Sequence, residues 1–253
     1  IMKDIFPLIL VMIAVLLLVS SGLSGAAALP HQPGEPAGIE RYRRAETLVY
    51  SEQGSAAEIH ALLEVMRRDL RGEPDAALRA YWISRTHLLL ATHHNQQEES
   101  RAAQRELEAG FAAINDALER AGEFSDGLRV RADLHAQMMF ARGLIYMARH
   151  GSDARAQALR AMELDPTNIN ARITAAGFYL NAPGFAGGDR EEGTRILESA
   201  LAQGPENDNE RFLILGLLAQ TYGEAGDTAD AGRYLQLAEE IHPRSPWIAE
   251  LRS

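Results

Sequence analysis

The sequence predicts an all-α protein, built as a solenoid of antiparallel helix pairs. Apolar residues recur at helical spacing from Ile39 onward, with no sustained alternation of the kind a half-buried strand needs. Aromatics make up only 6% of the chain while alanine is abundant, a balance that suits helices packed closely through small side chains. The breaks between periodic stretches are short, which forces consecutive helices to run antiparallel.

The 253 residues are 46% hydrophobic and 24% charged, enough for one elongated domain or two small ones with a sizeable core. Acidic residues and arginines alternate along a chain of formal net charge −10, a surface that repels phosphate backbones and argues against nucleic-acid binding. Lys3 is the only lysine, so no Schiff-base or phosphate-loop lysine follows it. With no cysteine, the chain has no disulfide, thiol nucleophile or cysteine metal site.

Residues 1–28 have a charged start at Lys3, an apolar run centred on Leu8 to Val19 and an A-x-A ending at Ala26 to Ala28. They read as a secretory signal peptide, with a retained anchor as the competing reading. "LSGA", Leu23 to Ala26, resembles a lipoprotein box with alanine in place of the lipidated cysteine, so lipidation is excluded there. Residues 29–38, with three prolines and two glycines, form a linker.

The helices expected from periodicity and caps are Ile39 to Glu52, Ala56 to Leu70, Asp75 to His94, Glu98 to Ala121 and Gly127 to Arg149. Then come Asp153 to Leu164, Asn168 to Leu180, Arg190 to Ala202, Asn209 to Glu224, Thr228 to Ile241 and a short piece after Pro246. Ser55 with Glu58 three residues later reads as a capping box. The third helix presents Leu78, Tyr81, Trp82 and Leu89 as one buried stripe, and the fourth presents Leu107, Phe111, Ile114 and Leu118.

From residue 128 the helices repeat. The last unit reads Leu215, Leu218, Ala219, Tyr222, Gly226, Asp227, Ala231, Leu235, Ala238 and Pro243. An upstream unit reads Met139, Gly143, Tyr146, Ala154, Ala158, Ala161 and Pro166. A middle one reads Ala175, Ala176, Tyr179, Gly193, Leu197, Ala200 and Pro205, with five extra residues at its turn. Small residues fall where paired helices cross and proline ends each pair. Residues 128–253 therefore form the repeat region with a short C-terminal cap, and residues 39–127 read as helical hairpins of degenerate repeats.

This pattern resembles the tetratricopeptide-repeat (TPR) family over about residues 128–245. More loosely, the order "YWISR", "ELEAGFAAINDAL", "LDP", a proline-and-GGD turn and "LAQTYGEAGD" is similar to bacterial envelope repeat proteins, including the T component of TRAP-type transporters. That resemblance implies an exported scaffold in the periplasm or cell envelope that partners a solute-binding protein.

The glycine-rich stretch Asn181 to Gly193 lacks the preceding strand and the lysine of a phosphate loop. It reads as an expanded turn in which Pro183 and Gly184 stop one helix, Gly187 and Gly188 permit positive φ, and Asp189 caps the next. His87, His93 and His94 read as a solvated helix end and not as a metal site, since His87 and His94 lie about 10 Å apart along the helix. No catalytic constellation, metal site or cofactor motif is present, so the expected role is not enzymatic.

The function expected is binding of a protein or peptide partner on the concave face made by the first helix of each pair. Its candidate contacts are Arg142, Tyr146, Arg172, Tyr179, Asn181 and Phe185, with the two arginines able to fork onto a carboxylate. The alternative is an accessory component of a solute-uptake system, with a ligand path or pocket enclosed by the superhelix. Membrane contact is expected only through an uncleaved N-terminal segment, and the oligomeric state is open.

Overall fold

A computed structural model describes residues 34–184 and 187–252; residues 1–28, expected as a signal peptide, most of the expected linker and Phe185 lie outside the described residues. The described chain is all-helical, with eleven α-helices and no strand. They are α1 (Ile39–Tyr50), α2 (Ala56–Asp69), α3 (Ala76–Gln96), α4 (Ser100–Ala121), α5 (Ser125–Arg142), α6 (Leu144–Leu164), α7 (Ile169–Asn181), α8 (Arg190–Gln203), α9 (Asp208–Glu224), α10 (Thr228–Ile241) and α11 (Pro246–Leu251). None of the described helices is long and apolar enough to cross a membrane.

Side-chain caps start many of them, each accepting an otherwise orphaned N–H. Asp75, Asn168, Asp189, Asn207 and Asp227 serve this way. Ser55 accepts from the Glu58 N–H at 3.2 Å, but the Glu58 carboxylate turns outward to Arg44, so only half of the expected capping box forms.

The main departure from the sequence reading lies at the fifth and sixth helices, where the break expected between Arg149 and Asp153 is absent and residues Leu144–Leu164 form one helix. The fifth helix ends at Arg142, not Arg149, because Gly143 adopts φ 71°, ψ −159°, and the next helix restarts at once at Leu144. Tyr146 therefore belongs to the second helix of its pair, not the first.

The turn at 181–193 is built as a brace. Gly187 takes φ 83°, and its carbonyl accepts from Arg155 of α6 at 3.2 Å. Gly188 needs no positive φ; a Cβ there would lie 1.7 Å from the Ala182 carbonyl oxygen, so close approach and not handedness demands glycine. Asp189 then caps α8 through the Glu192 N–H at 3.0 Å.

Consecutive helices pack as pairs, and the even-numbered helices α2, α4, α6 and α8 each bridge two successive odd ones. The odd-numbered helices form a second set of neighbours: α1 meets α3, α3 meets α5, α5 meets α7, α7 meets α9, and α9 returns to α1. Five helices thus close a ring. At the seam, the Asn209 side-chain amide donates to Glu46 and Thr47, both at 3.3 Å, and His242 bonds the Asn209 carbonyl oxygen at 3.1 Å.

The core follows this arrangement. One apolar cluster runs through α1 to α5 around Tyr81, Leu63 and Ile114, and a second runs through α7 to α11 around Phe212, Leu215 and Leu218. Between them, α5, α6 and α7 meet through the fully buried Ala132, Ala154, Ala158, Ala161 and Ala171, the close alanine packing that the composition implied. The expected stripe on α4 is buried or half-buried in the first cluster. On α3 the single stripe proves too narrow. Ser84, Thr86, Leu90 and Ala91 are buried as well, because this helix has neighbours on nearly every side.

Candidate functional site

The inner faces of the five odd helices enclose two connected spaces. The inner chamber, about 140 Å³, is walled by Leu88 and Leu89 of α3, Ala136 of α5, Ile173 and Phe178 of α7, Phe212 and Leu217 of α9, and Trp247 of α11. A polar vestibule of about 400 Å³ lies toward the N-terminal ends of the same helices, lined by Asp126, Asn168, Asn207, Asn209 and Glu210 among others. Tyr42, Glu46, Tyr50, Arg85, Asn170 and Leu213 line both and form the waist between them.

Helical geometry explains the lining. Positions 42, 46 and 50 on α1, 85, 89, 92 and 96 on α3, 129, 133 and 136 on α5, and 170, 174 and 178 on α7 recur every three or four residues, so each set falls on one face. Even-numbered helices contribute none of the inner-chamber residues.

Two arginines, the half-buried Arg85 and the buried Arg129, organise the charge. The Arg85 guanidinium lies over the rings of Tyr42 and Trp82, 4.5 and 4.6 Å from their centroids, and pairs with Glu46 at 3.3 Å. Arg129, only 6% exposed, donates from Nε to Asp126 at 2.9 Å and from one terminal nitrogen to Asp133 at 2.8 Å. The two carboxylates respond oppositely. Burial pushes both up, but for Asp126 the charges of Arg129 and Arg85 and the Arg129 and Asn168 hydrogen bonds outweigh it, holding the carboxyl below its usual range. For Asp133 burial prevails over Arg129 and Thr174, and the carboxyl sits above that range.

Three buried polar atoms on residues that line the inner chamber have no hydrogen-bond partner among the described residues: the other terminal nitrogen of Arg129, Gln96 Oε1 and Trp247 Nε1. An unsatisfied buried donor or acceptor costs about 1–3 kcal/mol, so their presence together needs a reason.

The residues expected to contact a partner lie elsewhere. Arg142 is exposed at the end of α5 and pairs with Glu108 at 2.6 Å. Tyr146 bonds His135 through its hydroxyl at 2.8 Å and packs on His150. Arg172 donates to Gln203 at 2.7 Å, Tyr179 carries the Arg155 guanidinium 5.3 Å from its ring centroid, and Asn181 caps its own helix at the Gly177 carbonyl. None of these five lines either chamber, and Phe185 lies outside the described residues. Arg172 misses because it is two positions from both Asn170 and Thr174, about 200° around the helix. Tyr146 misses because the break at Gly143 moves it from the expected first helix of its pair to the second.

The histidine run also differs from expectation. His93 and His94 are buried, and His94 Nδ1 meets Glu99 at 2.7 Å, because α3 continues to Gln96 against α2 and α4. His87 pairs with Glu106 at 2.7 Å. Among the described residues, no three histidine, aspartate or glutamate side chains converge as a metal cluster.

His135 is the titrating group with the clearest pH consequence. Burial, with His150 and Arg131 nearby, lowers its pKa from the usual 6.5 to about 4. The unfolded chain therefore takes up the proton first, so this contribution to stability is intact above about pH 6.5 and lost as pH falls toward about 4. Urea unfolding should show a decline of about 2 kcal/mol over that window, discounted for the group's residual solvent access, and His135→Leu should flatten it.

No family model, curated protein or solved structure matches this chain.

Proposed function

We propose that the protein is a tetratricopeptide-type solenoid tightened into a ring, which encloses a small solute and serves as an accessory component of a solute-uptake system in the cell envelope. The observation that carries this reading is the meeting of α9 with α1. Because the ring closes, the concave face on which an extended partner would lie becomes the wall of an interior space. That space has the make-up of a small-molecule site, apolar walls with a few convergent polar groups. Export rests on the character of residues 1–28, and no catalytic step is part of the proposal.

A protein-partner role keeps one supporting observation, now on the outer surface. Leu144 and Ile145 are 77% and 72% exposed, beside Arg142 and Arg149. Apolar side chains this open, next to basic ones, suit contact with another protein.

Native mass spectrometry of protein purified from its own envelope tests the main reading. Wild type should retain a small-molecule adduct, and Ala136→Phe, which grows a ring into the inner chamber from a small residue on its wall, should lose it while keeping its helical content. Equal retention by the variant, or a protein adduct with no small molecule, would count against an enclosed solute site.

A further inference from the structure

We propose that the ring takes up a small organic cation, an ammonium group on a hydrocarbon body no larger than a benzene ring, with Glu52 of the inner chamber as its counter-charge. This rests on the reading of the chamber as a ligand site and names the charge and size it would select.

The charges lining both spaces are mostly of one sign. Three carboxylates, Glu46, Glu52 and Asp133, face the inner chamber against two arginines, Arg85 and Arg129. The vestibule adds Glu35, Asp126, Glu206 and Glu210 against Arg43 alone. Arg85 pairs with Glu46, Arg129 with Asp126 and Asp133, and Arg43 with Glu35, so no arginine of the lining is left over. Glu210 is held by neutral donors, the Asn170 amide at 2.7 Å and the Glu206 N–H at 2.9 Å, and the Glu206 side chain is on an exposed residue. A cleft lined by one sign of charge concentrates ions of the other, so the approach favours cations over anions.

Glu52 is the acid of the inner chamber without a counter-charge. It is half-buried just past the end of α1, where burial and the nearby Glu250 carboxylate both push its pKa up and no cation draws it down. The C-terminal ends of α1 and α3, at Tyr50 and Gln96, also border this chamber, so their helix dipoles add partial negative charge there. A carboxylate left uncompensated in such an interior is unfavourable, and a bound ammonium group relieves it.

The walls suit the rest of the molecule. Every charged side chain of the inner chamber comes from α1, α3, α5 or the residue just past α1, whereas α9 and α11 supply Phe212, Leu213, Leu217 and Trp247. An ammonium group on a hydrocarbon body has the same two sides. Trp247 lies three residues before Glu250 on the same face of α11, which brings an indole toward the end of the chamber that Glu52 occupies, and an aromatic face attracts an ammonium ion. Space bounds the body, because the chamber holds about 140 Å³ and a cavity of about 150 Å³ accommodates benzene. The unpartnered atoms of Arg129, Gln96 and Trp247 are sealed within the wall and are not contacts for the ligand.

Four probes of similar size separate the possibilities: benzylamine, an ammonium ion at neutral pH, benzyl alcohol, phenylacetate and benzene, each titrated into the protein and followed by calorimetry and amide resonances. Benzylamine should bind at least about tenfold more tightly than benzyl alcohol, and phenylacetate most weakly. Glu52→Gln, which keeps the shape and removes the charge, should bring benzylamine down to the level of benzyl alcohol while leaving benzyl alcohol within about twofold of its wild-type affinity. Ala136→Phe, with its amide resonances otherwise native, should abolish binding of every probe, which separates the chamber from the acidic outer surface. If benzyl alcohol or phenylacetate equals or exceeds benzylamine, or Glu52→Gln keeps the full preference for the amine, the chamber stands and the cation inference falls. If no probe binds, or Ala136→Phe binds them all undiminished, both fall.

Discussion

Arg129→Ala is expected to destabilise the protein by about 3–5 kcal/mol, the range for removing one partner of a buried ion pair. The side chain is 6% exposed and is the shared counter-ion of Asp126 and Asp133. Its loss leaves two carboxylates one helical turn on either side of an empty position, with Asn168 and Thr174 as remaining donors. Urea denaturation at neutral pH measures the loss. Its pH dependence identifies the cause: without Arg129 both carboxyls are raised in the folded state and bind protons before those of the unfolded chain, so the deficit should shrink as pH falls through the carboxylate range. A deficit independent of pH would assign the effect to lost packing. Adding Asp126→Asn and Asp133→Asn to the variant should restore part of the stability.

Arg85→Ala is expected to cost about 3 kcal/mol, combining the stacking on Tyr42 and Trp82 with the partly buried pair to Glu46. Its consequence extends beyond its own helix. Glu46 joins α1 to α3 through Arg85 and α1 to α9 through Asn209, so losing the guanidinium loosens the seam that closes the ring. Arg85→Met keeps the apolar stem but not the charge, and should recover about half of the loss. A double-mutant cycle with Glu46→Ala isolates the pair; coupling near zero would show that stacking alone holds Arg85.

Much of the helical layout is legible in the chain because it is local. Asp189, Asn168 and Asp227 announce helix starts through groups a few residues away, and alanine at 154, 158 and 161 announces close packing. The break at Gly143 was less legible. It interrupts continuous helical periodicity, and only the positive φ ends α5.

The inner face left one signal. Helices α3, α5, α7 and α9 are apolar on several sides yet carry isolated charged or amide residues at helical spacing, such as Arg85, Arg129, Asp133 and Asn170. A helix apolar all round is buried all round. Polar residues spaced along it therefore mark an interior polar space, while the outer even helices show ordinary one-sided stripes.

The sequence by itself determined the all-helical class, the pairing of neighbours and most of the capped turns, since these depend on propensity, capping and spacing within a few residues. Only the tertiary structure decided that Asn209 meets Glu46 across more than 160 intervening positions, that Arg129 lies between two acids, and that the first-helix faces enclose a chamber. The physical reason is that ring closure depends on the small rotation between successive helix pairs, summed over five of them. No local sequence rule fixes that sum.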